Sequence, residues 1–268
     1  MTVFAPDGDW VGPDHNFAAI ALENITVRYQ IPKERVPTFK EFAIRRLLNG
    51  KTRYHDLLAL DNVSLTVRKG EVLGIVGANG AGKSTLLKVI AWVISPTSGR
   101  VRVRGQVAPL LELGAGFDSE LTARENVYMN GALLGRSRKE IAERVDRIVD
   151  FAGVREFIDA PIRTFSSGMM ARLGFAVATD VDADILIVDE ILGVGDKDFQ
   201  KKSFERMRAL MEHGTTVLFV SHDTETVKRI CQRAVWLENG RIKMLGKADD
   251  VVWAYTQLPG NAQVRWEI

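Results

Sequence analysis

Cysteine is all but missing from this sequence: Cys231 stands alone in 268 residues. A single thiol excludes an intramolecular disulfide and suits a reducing compartment. Charge of one sign is lacking too. Lysine and arginine number 36 against 34 aspartates and glutamates, a formal net charge of +2, so no nucleic acid or other polyanion is implied as a partner. No apolar run approaches the length that a membrane-spanning helix needs, and the first residues lack a signal-peptide pattern. A soluble, cytoplasmic protein is expected. Internal repeats and low-complexity stretches are absent as well. The length allows one full core, or one domain with a subdomain. Cys231 falls in an apolar-periodic run that reads as helix, so core packing is its expected role.

What is present is organised around Gly77-Ala78-Asn79-Gly80-Ala81-Gly82-Lys83-Ser84, followed by Thr85. This fits the phosphate-loop pattern G-x-x-x-x-G-K-[ST]. Its flanks are the required ones, a short buried strand at Glu71 to Val76 and an apolar-faced helix at Ser84 to Trp92. Glycines let the loop curl so that successive N–H groups converge on one anion, and the helix N-terminus adds unpaired donors. Lys83 is expected to reach the β- and γ-phosphates and Ser84 to ligate Mg²⁺. A nucleoside triphosphate site follows.

Residues 1–17 lack periodicity and read as a loose arm, and residues 258–268 read as a tail. Ala19 to Arg28 alternates as an edge strand ending at Tyr29, and Leu58 to Val67 is strand-like. Between them, residues 37–50 read as an amphipathic helix with Phe39, Phe42, Ala43 and Leu47 on one face and an Asn-Gly stop. Two readings of it stand: a helix packed on its own domain, or a docking element for a partner. Pro109 to Phe117 is hinge-like. Thr122 to Glu125 and Ser137 to Glu140 both fit the capping box. Helical periodicity then continues, which argues for a helical subdomain at about residues 115–180 inserted in an α/β core.

Ile185 to Val188 is a buried strand ending in Asp189 and Glu190. In phosphate-loop enzymes such an Asp holds Mg²⁺ and the next acid can polarise the attacking water. The strand Thr215 to Val220 delivers Ser221-His222-Asp223 to the same edge, where parallel sheets bind ligands, and His222 is expected to contact the γ-phosphate.

The order of phosphate loop, helical insert, Thr164-Phe165-Ser166-Ser167-Gly168-Met169, Asp189-Glu190 and Ser221-His222 resembles the ATP-binding subunit of an ABC transporter, over roughly residues 18–257. The resemblance implies an α/β fold: a phosphate-loop core with an antiparallel β edge and an inserted helical subdomain. Ser166, Ser167 and Gly168 match the family's signature, usually Leu-Ser-Gly-Gly-Gln, with Phe165, Ser167 and Met169 as departures. Two copies would sandwich two ATPs head to tail, each signature facing the other copy's loop. Tyr29 stands where an aromatic ring stacks on adenine, and Asp196 where an Asp contacts the opposing copy. Glu112 is nearest to the position of a Gln that contacts Mg²⁺; Gln106 comes too early.

Leu111 to Phe117, Thr122 to Asn126 and Ile191 to Asp196 are similar to the polysaccharide and teichoic-acid exporter branch, as is the long segment from Tyr29 to Leu58. That branch implies homodimerisation, an integral membrane permease, a lipid-linked glycan as cargo, and a place at the cytoplasmic face of the membrane. Some members carry a C-terminal β-sandwich that reads the glycan. The sequence stops soon after Asp249 to Gln257, so that domain is expected to be absent or removed. Trp92 stands where relatives have a small residue. Export of another substrate, or a non-transport ABC ATPase, are the alternatives; a regulatory switch outside the family leaves residues 164–169 unexplained.

Overall fold

The computed structural model describes residues 18–32, 54–110, 114, 116–180, 182–189 and 195–257. The expected arm, the 37–50 helix, Glu112, Glu190 and the tail lie outside the described residues.

Two sheets form the frame. The larger contains β3 (Val72–Val76), β5 (Val107–Leu110), β6 (Ile185–Asp189), β7 (Thr216–Val220), β8 (Arg233–Glu238) and β9 (Arg241–Lys247), in the order β5-β6-β7-β3-β8-β9. All neighbours are parallel except β8 and β9, which form a hairpin. β3, β6 and β7 carry near-continuous apolar runs because both faces are covered, whereas edge strand β5 buries Ala108 and Leu110 and exposes Pro109. Side chains alternate between two cores: Ile185 and Ile187 enter one, Leu186 and Val188 the other.

The first core is closed by α1 (Lys83–Ile90) through Leu86, Leu87, Val89 and Ile90, and by a three-stranded antiparallel sheet. That sheet holds β1 (Ala18–Pro32), β2 (Tyr54–Arg68) and β4 (Ser98–Val103) in the order β2-β1-β4. β1 is therefore the middle strand, not the edge strand its alternation suggested. Its inward residues Ile20, Leu22 and Ile25 are fully buried, and pairing on both sides satisfies both rows of backbone groups.

The second core is closed by α5 (Lys197–Glu212), α6 (Thr224–Ile230) and α7 (Ala248–Thr256). Cys231 packs here but follows α6 in extended conformation, so it ends the helix instead of riding inside it. Burial pushes its thiol up to about 12, which leaves it unreactive.

A third cluster is made by α2 (Ala123–Leu133), α3 (Arg138–Ala152) and α4 (Ser167–Thr179). Both capping boxes form as the sequence implies, at Thr122 with Glu125 and at Ser137 with Glu140. Phe151 of α3, Phe175 of α4 and Phe199 of α5 meet with ring centroids 5.7 to 6.0 Å apart. Each such pair contributes about 0.5–1.5 kcal/mol beyond area burial, and the trio ties this helical layer to the second core.

α1 ends in a Schellman arrangement: Val93 N–H donates to Lys88 O at 2.9 Å and Trp92 N–H to Val89 O at 3.2 Å. Trp92 thus occupies the left-handed position, at φ 58° and 47% exposed. Glycine avoids the Cβ crowding there, which accounts for the expectation of a small residue.

Candidate functional site

The carboxyl ends of β3, β6 and β7 lie side by side at one edge of the larger sheet. β3 runs directly into residues 77–82 and then α1. Gly77 (φ 153°), Gly80 (φ 80°) and Gly82 (φ 104°) take left-handed or related conformations. Two of them are also crowded. A Cβ on Gly77 would run into the Leu237 carbonyl, and one on Gly82 would lie 2.7 Å from the Ala59 carbonyl. The loop is tied down from behind, with Gly240 N–H donating to Ala81 O at 3.0 Å. No local pattern exposes that tie; its only trace is an Asn-Gly turn at 239–240.

α1 begins without a side-chain cap and without an acid in its first turn. Thr122, Ser137, Ser166, Asp196 and Asp223 cap α2 to α6. The first N–H groups of α1 are thereby left for an anion. Ala78, Asn79, Gly80 and Ser84 are exposed at its mouth, and Thr85 is half-buried. Lys83 is buried, and its Nζ donates to Gly77 O at 2.6 Å and Ala78 O at 3.1 Å.

Asp189 ends β6 opposite Val220, the last residue of β7, and His222 follows two residues later. Lys83, Asp189 and His222 feel one another. Burial lowers the Lys83 ammonium below the lysine range, against the pull of Asp189. Burial raises the Asp189 carboxyl, opposed by Lys83 and His222. His222 is lowered by burial and then by Lys83, with Asp189 opposing. Sequence spacing placed these three in one site, and the fold brings them there. A cradle that a Cβ would fill, a cation and an acid at its rim, and uncapped helix donors fit a Mg²⁺-nucleotide.

Tyr29 is half-buried against the first core and pairs with Leu57, two residues from Ala59, which abuts Gly82. It therefore sits on the sheet that flanks the loop. Ser166, Ser167 and Gly168 are elsewhere, at the N-terminus of α4, with both serines exposed. Ser166 Oγ accepts from Met169 N–H at 3.2 Å. Among the described residues no hydrogen bond or ion pair joins them to residues 77–85. Asp196 caps α5 by accepting from Phe199 N–H at 2.9 Å, and Arg172 of α4 stands 3.7 Å from its other oxygen. Gln106, too early for the Mg²⁺ contact, is engaged elsewhere: its backbone N–H donates to Asp184 Oδ2 and its side-chain amide to Leu134 O.

A profile of the ABC transporter family matches residues 60–193. The chain is 52% identical over 243 residues to the O-antigen export system ATP-binding protein RfbB of Klebsiella pneumoniae, covering 89% of this chain and 97% of that protein. The chain belongs to the ABC transporter family. It is also 36% identical over 236 residues to the teichoic acids export ATP-binding protein TagH of Bacillus cereus, covering 88% of this chain and 42% of that protein. A solved bacterial ABC transporter cassette, a dimer in its structure, superposes with a TM-score of 0.68 at 25% identity, over 85% of this chain and 98% of that one. The expected fold is thus borne out: an ABC ATPase α/β core with an antiparallel sheet and added helices.

Proposed function

We propose that this chain is the ATP-hydrolysing subunit of an exporter that drives a lipid-linked polysaccharide across the cytoplasmic membrane. One observation carries this reading: Lys83, Asp189 and His222 meet at the loop edge in a chain 52% identical to an O-antigen export ATP-binding protein. Bound Mg²⁺-ATP supplies a transferable γ-phosphoryl group whose charge the metal partly neutralises. The N–H groups of residues 77–85 and the Lys83 ammonium neutralise the rest of the triphosphate. Ser84 and Asp189 hold the metal, with Glu112 as a further contact, and Tyr29 stacks on the base. Glu190 holds the attacking water, and His222, neutral at pH 7, holds the γ-phosphate. Ser166, Ser167 and Gly168 of a second copy close the site, and Asp196 contacts that copy. The exposure of both serines, away from their own loop, supports a shared site. The membrane partner is an integral permease, and the ATPase works at its cytoplasmic face.

The experiment is Glu190→Gln in a host cell that depends on this chain for surface polysaccharide. The purified variant retains ATP binding, while hydrolysis falls on the order of 10²-fold or more, about 2.7 kcal/mol of transition-state stabilisation. In the cell, surface glycan disappears and its lipid-linked form accumulates. Near-normal turnover sinks the role of Glu190; lost turnover with normal surface glycan sinks the export reading.

A further inference from the structure

The signature helix α4 has Ser166 as its N-cap and Asp180 as its C-cap. Those two ends differ sharply. Ser166 is exposed, whereas the Asp180 side chain is 4% exposed. A carboxylate at a helix C-terminus faces the negative pole of the peptide dipoles, and burial adds a desolvation cost. Asp180 persists there because guanidinium groups from three other parts of the chain converge on it. Arg147 of α3 is bidentate, with Nε to Oδ1 at 2.7 Å and Nη2 to Oδ2 at 3.0 Å. Arg144 of α3 donates to the Asp180 carbonyl at 3.1 Å and to Oδ2 at 3.5 Å. Arg136, in the turn between α2 and α3, reaches Oδ2 at 3.4 Å. Arg206 of α5 reaches Oδ1 at 3.4 Å and Thr179 O at 3.2 Å.

One carboxylate therefore fastens the end of α4 to α3, to the α2–α3 turn and to α5. α5 is the helix that Asp196 caps, just beyond β6 and Asp189. The junction is not electrostatically quiet. Asp182, exposed, takes the second Arg144 nitrogen at 2.6 Å, which leaves four guanidinium groups against two carboxylates. Burial and then Arg144 depress Arg136 below the ordinary arginine range. Arg206 Nε is buried without a hydrogen-bond partner. Without Asp180 the arginines would push α3 and α5 away from α4.

We propose that Asp180 is a positioning residue for ATP hydrolysis, the joint through which α3 and α5 aim Ser166 at the triphosphate held by the other copy. The proposal rests on the shared two-copy site given above. Its lever is geometric. α4 spans 13 residues, about 20 Å at 1.5 Å per residue, so a tilt of roughly 8° at Asp180 moves Ser166 by about 3 Å. A hydrogen bond to phosphate does not survive such a shift.

The test measures ATPase turnover and ATP-driven dimerisation of the full chain, comparing wild type, Asp180→Asn and Arg206→Gln. Arg206→Gln cuts the tie to α5 but leaves three arginines on Asp180, so its melting temperature stays near that of wild type. Its turnover falls about 3- to 10-fold, ATP binding by the separate copies does not change, and Arg206→Lys restores part of the rate. Combined with Ser166→Ala, Arg206→Gln adds no further loss, because the arginine acts through that serine. Wild-type turnover in folded Arg206→Gln, or losses that multiply in the double variant, overturns the proposal. If Asp180→Asn fails to fold, Arg206→Gln decides alone. In the Glu190→Gln background, an ATP-driven dimer that ignores Arg206 sinks only the joint; no dimer with intact Arg206 sinks the shared site and the joint with it.

Discussion

The loop edge and the far end of the signature helix handle charge in opposite ways. At the loop edge, Lys83, Asp189 and His222 are all shifted first by burial, and the Lys83 amine is held by backbone carbonyls. At the far end of α4, Asp180 is saturated by close arginine pairs. A carboxylate taken up on both oxygens by four arginines holds a position but has no acceptor left for a ligand. A cluster that burial leaves electrostatically underpaid is the one that gains when a triphosphate and a cation arrive. On the proposed function the chain would thus separate chemistry from alignment, with the exposed Ser166 end of α4 between the two tasks.

The largest effect comes from breaking each half of the proposed shared site in a different copy. Lys83→Ala removes the loop cation and Ser166→Arg fills the signature with a bulky charge. Each purified variant alone should lose ATPase on the order of 10²-fold or more. In a mixed dimer both lesions fall on one composite site and the other is whole. Part of the activity should therefore return on mixing, measured alongside heterodimer content. No recovery in demonstrated heterodimers would place each site within a single copy, or show that both sites must fire together.

A smaller effect sharpens the electrostatic half of the comparison. His222 lies below its ordinary value of 6.5, so it is neutral at pH 7. A base depressed in the folded state contributes stability that is complete above 6.5 and lost as pH falls through the folded value. Protonation sets a second cation against Lys83, and that repulsion would move the ring from its proposed place at the γ-phosphate. The pH profile of kcat/KM should be flat from pH 8 to 6.5 and fall below that. His222→Gln, which cannot titrate, should lower turnover and remove the acid limb; an unchanged acid limb in that variant would assign it to another group.

How far the sequence could be read depended on whether a feature is local. The phosphate loop, Asp189 and His222 are strand-end or strand-to-helix signals a few residues long, and the sheet order brings them together. The two capping boxes are four-residue patterns and both form. Cys231 departs from its expected place inside a helix because a short helix that ends at Ile230 and a periodic run through it look alike in sequence. Nothing in β1 betrays a middle strand, since strand order is set by partners far along the chain. The Asp180 joint draws on positions 136, 144, 147 and 206, and no spacing rule connects them. The contact of Gly82 with Ala59 is equally non-local.

The smallest expected effect tests whether the helical layer is structure alone at its outer end. Thr122 Oγ1 accepts from Glu125 N–H at 3.2 Å, and the Glu125 carboxylate accepts from Thr122 N–H at 2.8 Å and from its hydroxyl at 2.7 Å. These bonds hold the Glu125 carboxyl below the usual glutamate range. Thr122→Ala removes the hydroxyl from both exchanges, and loss of such a cap costs about 1 kcal/mol. In a chain of this size that lowers the melting temperature by about 2–4 °C. ATPase at 25 °C should stay within twofold of wild type, because the cap lies at the start of α2 while the proposed aiming contacts lie at the end of α4. Thermal unfolding and turnover on the same preparation check both parts. A Thr122→Ala protein that melts normally but hydrolyses slowly would carry the aiming function outward from Asp180 into α2. That outcome would dissolve the division between a chemical edge and an aligning joint.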